Sequence, residues 1–177
     1  EYFSDPNFAV ADNPKVQFRI DDGRHFLLTT DETFDAITSD PLDPWVKGAA
    51  NLYTLEFWEL VRQRLNPGGV VTVFVQLYEA GIEAVKSEIA TFLEAFPYGT
   101  IWANTINGQG YDLVLMGRLE PTPIDVAAWD ERLGQPEYGP IRESLSEVGI
   151  NSALDLLATY SGRVNELGPW LEDAQIN

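Results

Sequence analysis

Cysteine is absent from the 177 residues, and histidine occurs once, at His25. The first absence excludes a disulfide scaffold, Cys-ligated zinc, iron–sulfur clusters and thiol catalysis. The second leaves a His-built metal site or a Ser–His–Asp triad nothing but His25 to work with. Basic residues are scarce: 11 Lys+Arg stand against 28 Asp+Glu, a formal net charge of −17. That charge repels phosphate backbones and anionic headgroups, and so speaks against nucleic acid and membrane surfaces as partners. It attracts small cations such as amines or metal ions, although an acidic surface more often only keeps a protein soluble. No stretch approaches the roughly 20 apolar residues of a membrane span, and no signal peptide opens the chain. Repeats and low-complexity tracts are missing as well.

Hydrophobic residues make up 45% of the chain, which excludes intrinsic disorder. The length suits one domain, or one plus a small appendage. The first residue is Glu1, so a piece of something longer is expected.

The order of segments carries the fold class. After the Asn13-Pro14 turn, Val16, Phe18 and Ile20 alternate with Gln17 and Arg19, which predicts a half-buried edge strand over Lys15 to Asp21. Gly23 to Thr29 reads as a short helix and Phe34 to Asp40 as a second strand. An irregular loop follows, Pro41 to Asn51. A helix is expected from about Thr54 to Leu65, stopped by Asn66-Pro67-Gly68-Gly69. Val70 to Val75 is almost unbroken Val and Phe, the mark of a parallel strand buried on both faces. Helical spacing runs from about Glu79 to Phe96. Strands near Thr100 to Ile106 and Tyr111 to Gly117 flank Asn107-Gly108-Gln109-Gly110, a hairpin spacing that ends the sheet with an antiparallel strand.

From Pro121 only helices are expected. The first starts at Thr122-Pro123-Ile124-Asp125, with Thr122 as the capping hydroxyl, and others begin at Pro140, near Asn151 and near Asn165. The division is therefore an α/β domain over 1–120 and a helical C-terminal extension over 121–177. Such sheets bind ligands at the carboxyl ends of their strands.

Two strand ends hold acids. The first finishes in Asp21-Asp22-Gly23, the second in Ser39-Asp40-Pro41-Leu42-Asp43-Pro44. Proline holds the residue before it extended, so Asp40 and Asp43 are both fixed at the mouth of the sheet. Carboxylates three residues apart there could converge on one cation, or the two Asp-Pro pairs could simply make turns. Residue types alone leave these readings about even. Asp22 beside Gly23 reads more readily as the N-cap of the next helix. His25 reads as an ordinary surface histidine. Trp45, Trp58, Trp102, Trp129 and Trp170 read as core or interface anchors. Asn107-Gly108-Gln109-Gly110 is a turn rather than a phosphate loop, since neither helix nor Lys follows it.

Taken together, Asp22-Gly23-Arg24 with Phe26-Leu27, then Phe34-Asp35-Ala36-Ile37 leading to Asp40-Pro41-Leu42-Asp43-Pro44, Leu52-Tyr53, Glu56-Phe57 and Leu65-Asn66-Pro67-Gly68-Gly69 resemble the spermidine synthase family. The likeness is greatest to the branch fused to membrane-spanning segments. It continues more loosely through Tyr111-Asp112-Leu113-Val114-Leu115 and covers roughly residues 15 to 117. The resemblance implies an α/β, methyltransferase-like (Rossmann-like) sheet, present here as its C-terminal part. That sheet would lack its first two strands and carry a hairpin strand and an appended helical segment.

The implied activity is aminopropyl transfer, with decarboxylated S-adenosylmethionine as co-substrate, putrescine or a related amine as acceptor, and no metal. Carried over position by position, Asp22 would hold the adenine amino group, with Gly23 allowing close backbone approach. Asp40 would be the catalytic carboxylate that takes up or orients the amine's proton, and Asp43 would bind the acceptor's ammonium. Gln76 and Tyr78, at the next strand end, would line the acceptor channel. Tyr111 could face that channel too, or be core. Lys47, in the loop after Asp43, would add a cation to the pocket wall.

These residue types suit the chemistry. An alkyl amine is protonated at neutral pH, with a pKa near 10 like that of lysine, and only the free base attacks. The displacement needs the nucleophile held in line, one proton removed and the distant ammonium neutralised. Neighbouring carboxylates can do the last two. A homodimer, or at least a rearranged sheet, is expected, because an uncovered sheet edge invites association. The location would be cytoplasmic, or the soluble domain of an inner-membrane protein. Two alternatives stay open: a methyltransferase-fold relative that uses S-adenosylmethionine, and a non-catalytic domain serving assembly or regulation.

Overall fold

The computed structural model describes residues 9–106, 109–121 and 123–177. The chain parts into two compact units, Glu1–Thr30 and Asp31–Asn177. The small unit holds a 3₁₀ turn, Val10–Asp12, and helix α1, Gly23–Thr29. Asp22 caps α1, its Oδ1 accepting from the His25 N–H at 2.8 Å. Residues 16–20 are not in a ladder, which corrects the edge strand expected over Lys15 to Asp21. A strand is sustained by a neighbour that takes up its N–H and C=O groups, and the described residues of this unit offer none. Phe18 and Ile20 are accordingly exposed.

The large unit is a five-stranded mixed sheet in the order β1-β2-β4-β3-β5. Its strands are β1 Phe34–Ser39, β2 Leu65–Gln76, β3 Thr100–Ile106, β4 Gln109–Arg118 and β5 Tyr160–Arg163. Only β1 and β2 run parallel; the other pairings are antiparallel. The β3–β4 pairing reaches Ile106 opposite Gln109. Asn107 and Gly108 of the expected turn lie outside the described residues.

Helix α2, Leu55–Gln63, is capped by Thr54, whose side chain accepts from the Phe57 N–H. It packs with α3, Ile82–Ala95, on one face of the sheet. There Val71, Val73, Val75, Ile101, Leu113 and Leu115 meet Trp58, Phe92 and Phe96, all nearly or wholly sealed from water. Trp58 sits edge-on to Phe92 at 5.1 Å, and Phe96 lies 5.0 Å beyond Phe92. Gly117 permits that approach: a Cβ there would come within 2.6 Å of the Phe96 ring.

The opposite face corrects a second expectation. Val70, Thr72 and Phe74 are only half-buried, so β2 is not covered on both sides. The apolar run records one dry face from α2 and α3; the other face receives less cover. The ladder also takes in the Asn66–Gly69 turn, with a register break opposite β1 between Phe34 and Ala36.

Beyond Pro121 come α4 Val126–Leu133, α5 Gly139–Glu147, α6 Ala153–Leu157 and α7 Val164–Leu171. The cap of α4 is Asp125, which accepts from the Ala128 N–H at 3.0 Å; Thr122 lies outside the described residues. The segment is not purely helical, since β5 pairs with β3. Its tail is tied to α3 and α2. Lys86 pairs with Asp173 at 2.7 Å and the Ser87 hydroxyl donates to the Gln175 carbonyl. The Asn177 N–H donates to Thr91 Oγ1, while its carbonyl accepts from the Leu55 N–H.

Candidate functional site

The carboxyl ends of β1 and β2 lie side by side, and the loops leaving them carry four of the six residues singled out in the sequence. Asp40 is exposed and Asp43 half-buried. Between them the Leu42 carbonyl accepts a 2.9 Å hydrogen bond from the Tyr53 hydroxyl. Tyr53 itself is buried, at 6% exposure, in the short 3₁₀ helix Ala49–Leu52 and its cap. One phenol thus pins the middle of the Asp40–Asp43 segment. Burial, and after it the charges of Glu88, Asp43 and Asp40, hold that phenol well above its ordinary pKa. Both acids lie in the loop whose middle carbonyl this phenol holds.

At the end of β2, Gln76 stands opposite Asp112 in the β2–β4 register. Both are buried, at 8% and 9% exposure, and the Gln76 Nε2 donates to no group among the described residues. A buried amide donor without a partner is rare and costs on the order of 1–3 kcal/mol, so it is a place where a ligand oxygen or water is wanted. Two residues on, Tyr78 stacks on Tyr111 with ring centroids 4.8 Å apart. Its phenol is raised, first by desolvation and then by Tyr111, Asp43, Asp112 and Glu79. Glu79 takes a positive φ of 61° in this turn, an uncommon backbone for a residue with a side chain.

Sequence reasoning missed Glu88. It lies on α3 at 7% exposure, and burial followed by the Asp43 charge pushes its carboxyl up to about 7. The signal was present: Val85, Glu88, Ile89 and Phe92 share the buried stripe of α3, and a carboxylate there is out of pattern. After burial, the Asp43 charge is among the causes that raise Tyr53, Tyr78 and Glu88.

Asp22 and Gly23 belong to the small unit. Asp22 caps α1, and among the described residues a side chain at Gly23 would meet nothing within 4 Å. His25 is exposed and lies 3.1 Å from Asp21, whose carboxyl it holds below the ordinary range. Trp45 is exposed beside Lys47, whereas Trp58 is core. A hollow of about 660 Å³ opens between β3, β5 and α4, lined by Tyr98, Ile124, Leu157 and Tyr160, and none of the strand-end acids borders it. Among the described residues no group of three or more His, Asp or Glu is arranged to hold a metal ion.

The sequence profile of the spermine/spermidine synthase domain matches residues 2–114. The chain belongs to this family. A polyamine aminopropyltransferase from Nitrosomonas europaea is 30% identical over 157 residues, 82% of this chain and 45% of that protein. Polyamine aminopropyltransferase 1 of Pseudomonas aeruginosa is 34% identical over 93 residues, 50% of this chain and 32% of that one. The chain thus spans less than half the length of these relatives. Among solved structures, the spermidine synthase of Thermotoga maritima superposes with a TM-score of 0.67 at 16% identity, over 96% of this chain and 55% of the other. Human methyltransferase-like protein 13 gives 0.54 at 18%, over 82% of this chain and 64% of the other. At such identities these superpositions establish the fold: the α/β sheet of spermidine synthases and methyltransferases. No helix among the described residues is long and apolar enough to cross a membrane.

Proposed function

We propose that this chain supplies the amine-acceptor half of a polyamine aminopropyltransferase, with decarboxylated S-adenosylmethionine as donor and putrescine or a related amine as acceptor. The observation that carries the reading is geometric: Asp40 and Asp43 flank Leu42 in the loop at the end of β1, and the buried Tyr53 hydroxyl holds the Leu42 carbonyl between them. Asp43 neutralises the distal ammonium beside the Tyr78–Tyr111 stack, whose faces also favour a cation. Asp40, the more exposed of the pair, takes or orients the proton of the attacking amine. The Gln76 amide donates to the substrate at the end of β2. In the same reading Asp22 holds the adenine amino group, with Gly23 giving the ring close access. No metal enters, because carboxylates suffice to remove one proton and offset one charge.

Association belongs to the proposal too. Strand β1 is an edge of the sheet, and a second copy covers it in a homodimer. The domain works in the cytoplasm, free or tethered to membrane-spanning segments outside the residues described. Light scattering on the purified chain should give twice the 19.8 kDa monomer mass; a monomer across the concentration range refutes the dimer.

Turnover tests the main reading. In the protein at its natural full length, Asp40→Asn should abolish aminopropyl transfer while the melting temperature changes little. Full activity in that variant removes Asp40 from its role. Thermal stabilisation by methylthioadenosine and decarboxylated S-adenosylmethionine, but not by S-adenosylmethionine alone, separates this reading from a methyltransferase.

A further inference from the structure

The hollow between β3, β5 and α4 has no part in the reading above. Segments far apart in the chain line it: Tyr98 and Thr100 around the start of β3, Ile124 ahead of α4, Leu157 closing α6, and Tyr160 and Arg163 bounding β5. Its volume of about 660 Å³ is that of a small-molecule site, for which about 300–1,000 Å³ is usual. The aromatic part of the wall is held in place. Tyr160 meets Trp102 edge-on at 5.6 Å, and Trp102 lies 6.3 Å from Trp129 of α4. The Tyr160 hydroxyl donates to Glu166 Oε2 at 2.6 Å, and Trp102 Nε1 donates to Thr100 Oγ1 at 2.9 Å. Two polar groups of the lining are thus already engaged within the protein.

Charge decides what such a hollow takes. The chain carries a net charge of −17, yet among the described residues lining the hollow the charged one is Arg163, a cation. Glu166 stands beside it with both oxygens occupied: Oε2 accepts from the Tyr160 hydroxyl and from the Arg163 N–H, and Oε1 lies 3.5 Å from Arg163 Nε. The guanidinium is exposed, and its two Nη groups meet no acceptor among the described residues. We infer that the hollow is a second binding site, for a small carboxylate with an apolar body. The body lies against Tyr98, Ile124, Leu157 and Tyr160, and the carboxylate takes the Nη edge of Arg163, a fork whose geometry matches two oxygens. The sign is opposite to that of Asp40 and Asp43, so an amine suited to the strand ends is repelled here and the two sites fill independently. A ligand in contact with β3, β5, α6 and the approach to α4 binds the folded arrangement alone, and so holds the C-terminal segment to the sheet.

The test titrates the 177-residue chain with phenylpropionate, phenylpropanol and phenylpropylamine at equal ionic strength, followed by amide NMR. The carboxylate should shift the signals of Tyr98, Ile124, Leu157 and Tyr160 and bind about fivefold more tightly than the alcohol, as one exposed ion pair contributes. The amine should leave those signals still. Arg163→Gln should bring the carboxylate down to the affinity of the alcohol and leave the alcohol unchanged, which shows that the hollow itself has survived. Ile124→Trp, which fills the hollow from an exposed position, should weaken carboxylate and alcohol alike. Equal affinity for carboxylate and alcohol in the parent chain, a preference that survives Arg163→Gln, or shifts confined to other parts of the chain overturns the inference. No response at the solubility limit of the carboxylate overturns it as well. Putrescine added to the carboxylate complex should displace nothing; displacement would merge the two sites and sink the proposal, whereas failure of putrescine to bind anywhere counts against the acceptor reading alone.

Discussion

Two regions a few residues apart in sequence obey opposite rules. Under the sheet, Trp58, Phe92 and Phe96 fill a dry layer in which burial itself stabilises. At the strand ends, Asp43, Gln76, Glu88 and Asp112 are buried or half-buried polar groups, which folding alone would avoid. Helix α3 belongs to both, with Phe92 on one turn and Glu88 on the turn before. The contrast teaches that stability and site share one scaffold, and that the rim's cost is offset by the layer beneath it.

The comparison breaks first at Phe92. Phe92→Ala should lower stability by about 3–5 kcal/mol in urea unfolding, because the cavity opens in a sealed layer. A loss near 1 kcal/mol would mean that the layer is loosely packed and the contrast overstated.

Glu88 sharpens it from the other side. Its folded pKa of about 7 lies above the ordinary 4.5, so the native state binds the extra proton between those values. The stability this group contributes is fully present below about pH 4.5 and is lost as pH rises to 7. Over about 2.5 units the loss is on the order of 3 kcal/mol. Glu88→Gln should therefore be more stable than the parent at pH 8, by about 2–3 kcal/mol, and no more stable at pH 4. An equal gain at both pH values would show that packing, not charge, is responsible.

The smallest expected effect is at Tyr53. Tyr53→Phe removes the bond to the Leu42 carbonyl and should lower stability by about 1 kcal/mol, measured by thermal unfolding. Hydrogen exchange should quicken at the amides of the Asp40–Asp43 loop and not in β2. Uniform quickening would deny Tyr53 its local role.

Much of this was legible in the residues. Helices α2 and α3 and the β3–β4 hairpin follow from periodicity and turn chemistry, and the position of Asp40 and Asp43 just past the end of β1 follows from the strand read before them. Other parts were hidden because their cause is not local. Residues 16–20 alternate as a strand does, but a ladder depends on a neighbour that alternation cannot supply. Val70 to Val75 promised two covered faces, whereas which helices cover a sheet is decided by packing along the whole chain. Strand β5 is four residues, Tyr160–Arg163, with Gly162 inside it, and it exists because β3 offers an edge. The Asp43–Glu88 coupling joins positions 45 apart, and only the polar break in an apolar stripe gave a sign of it.

The tail that ends at Asn177 reaches further than its length suggests. The Asn177 carbonyl receives the N–H of Leu55, two residues after the tyrosine that holds the Leu42 carbonyl, and the Asn177 N–H is seated on the helix that carries Glu88. Residues 173–177 therefore work like the tie-rod of a frame, bracing the start of α2 against α3, so that a pull on this segment is felt by both helices under the sheet.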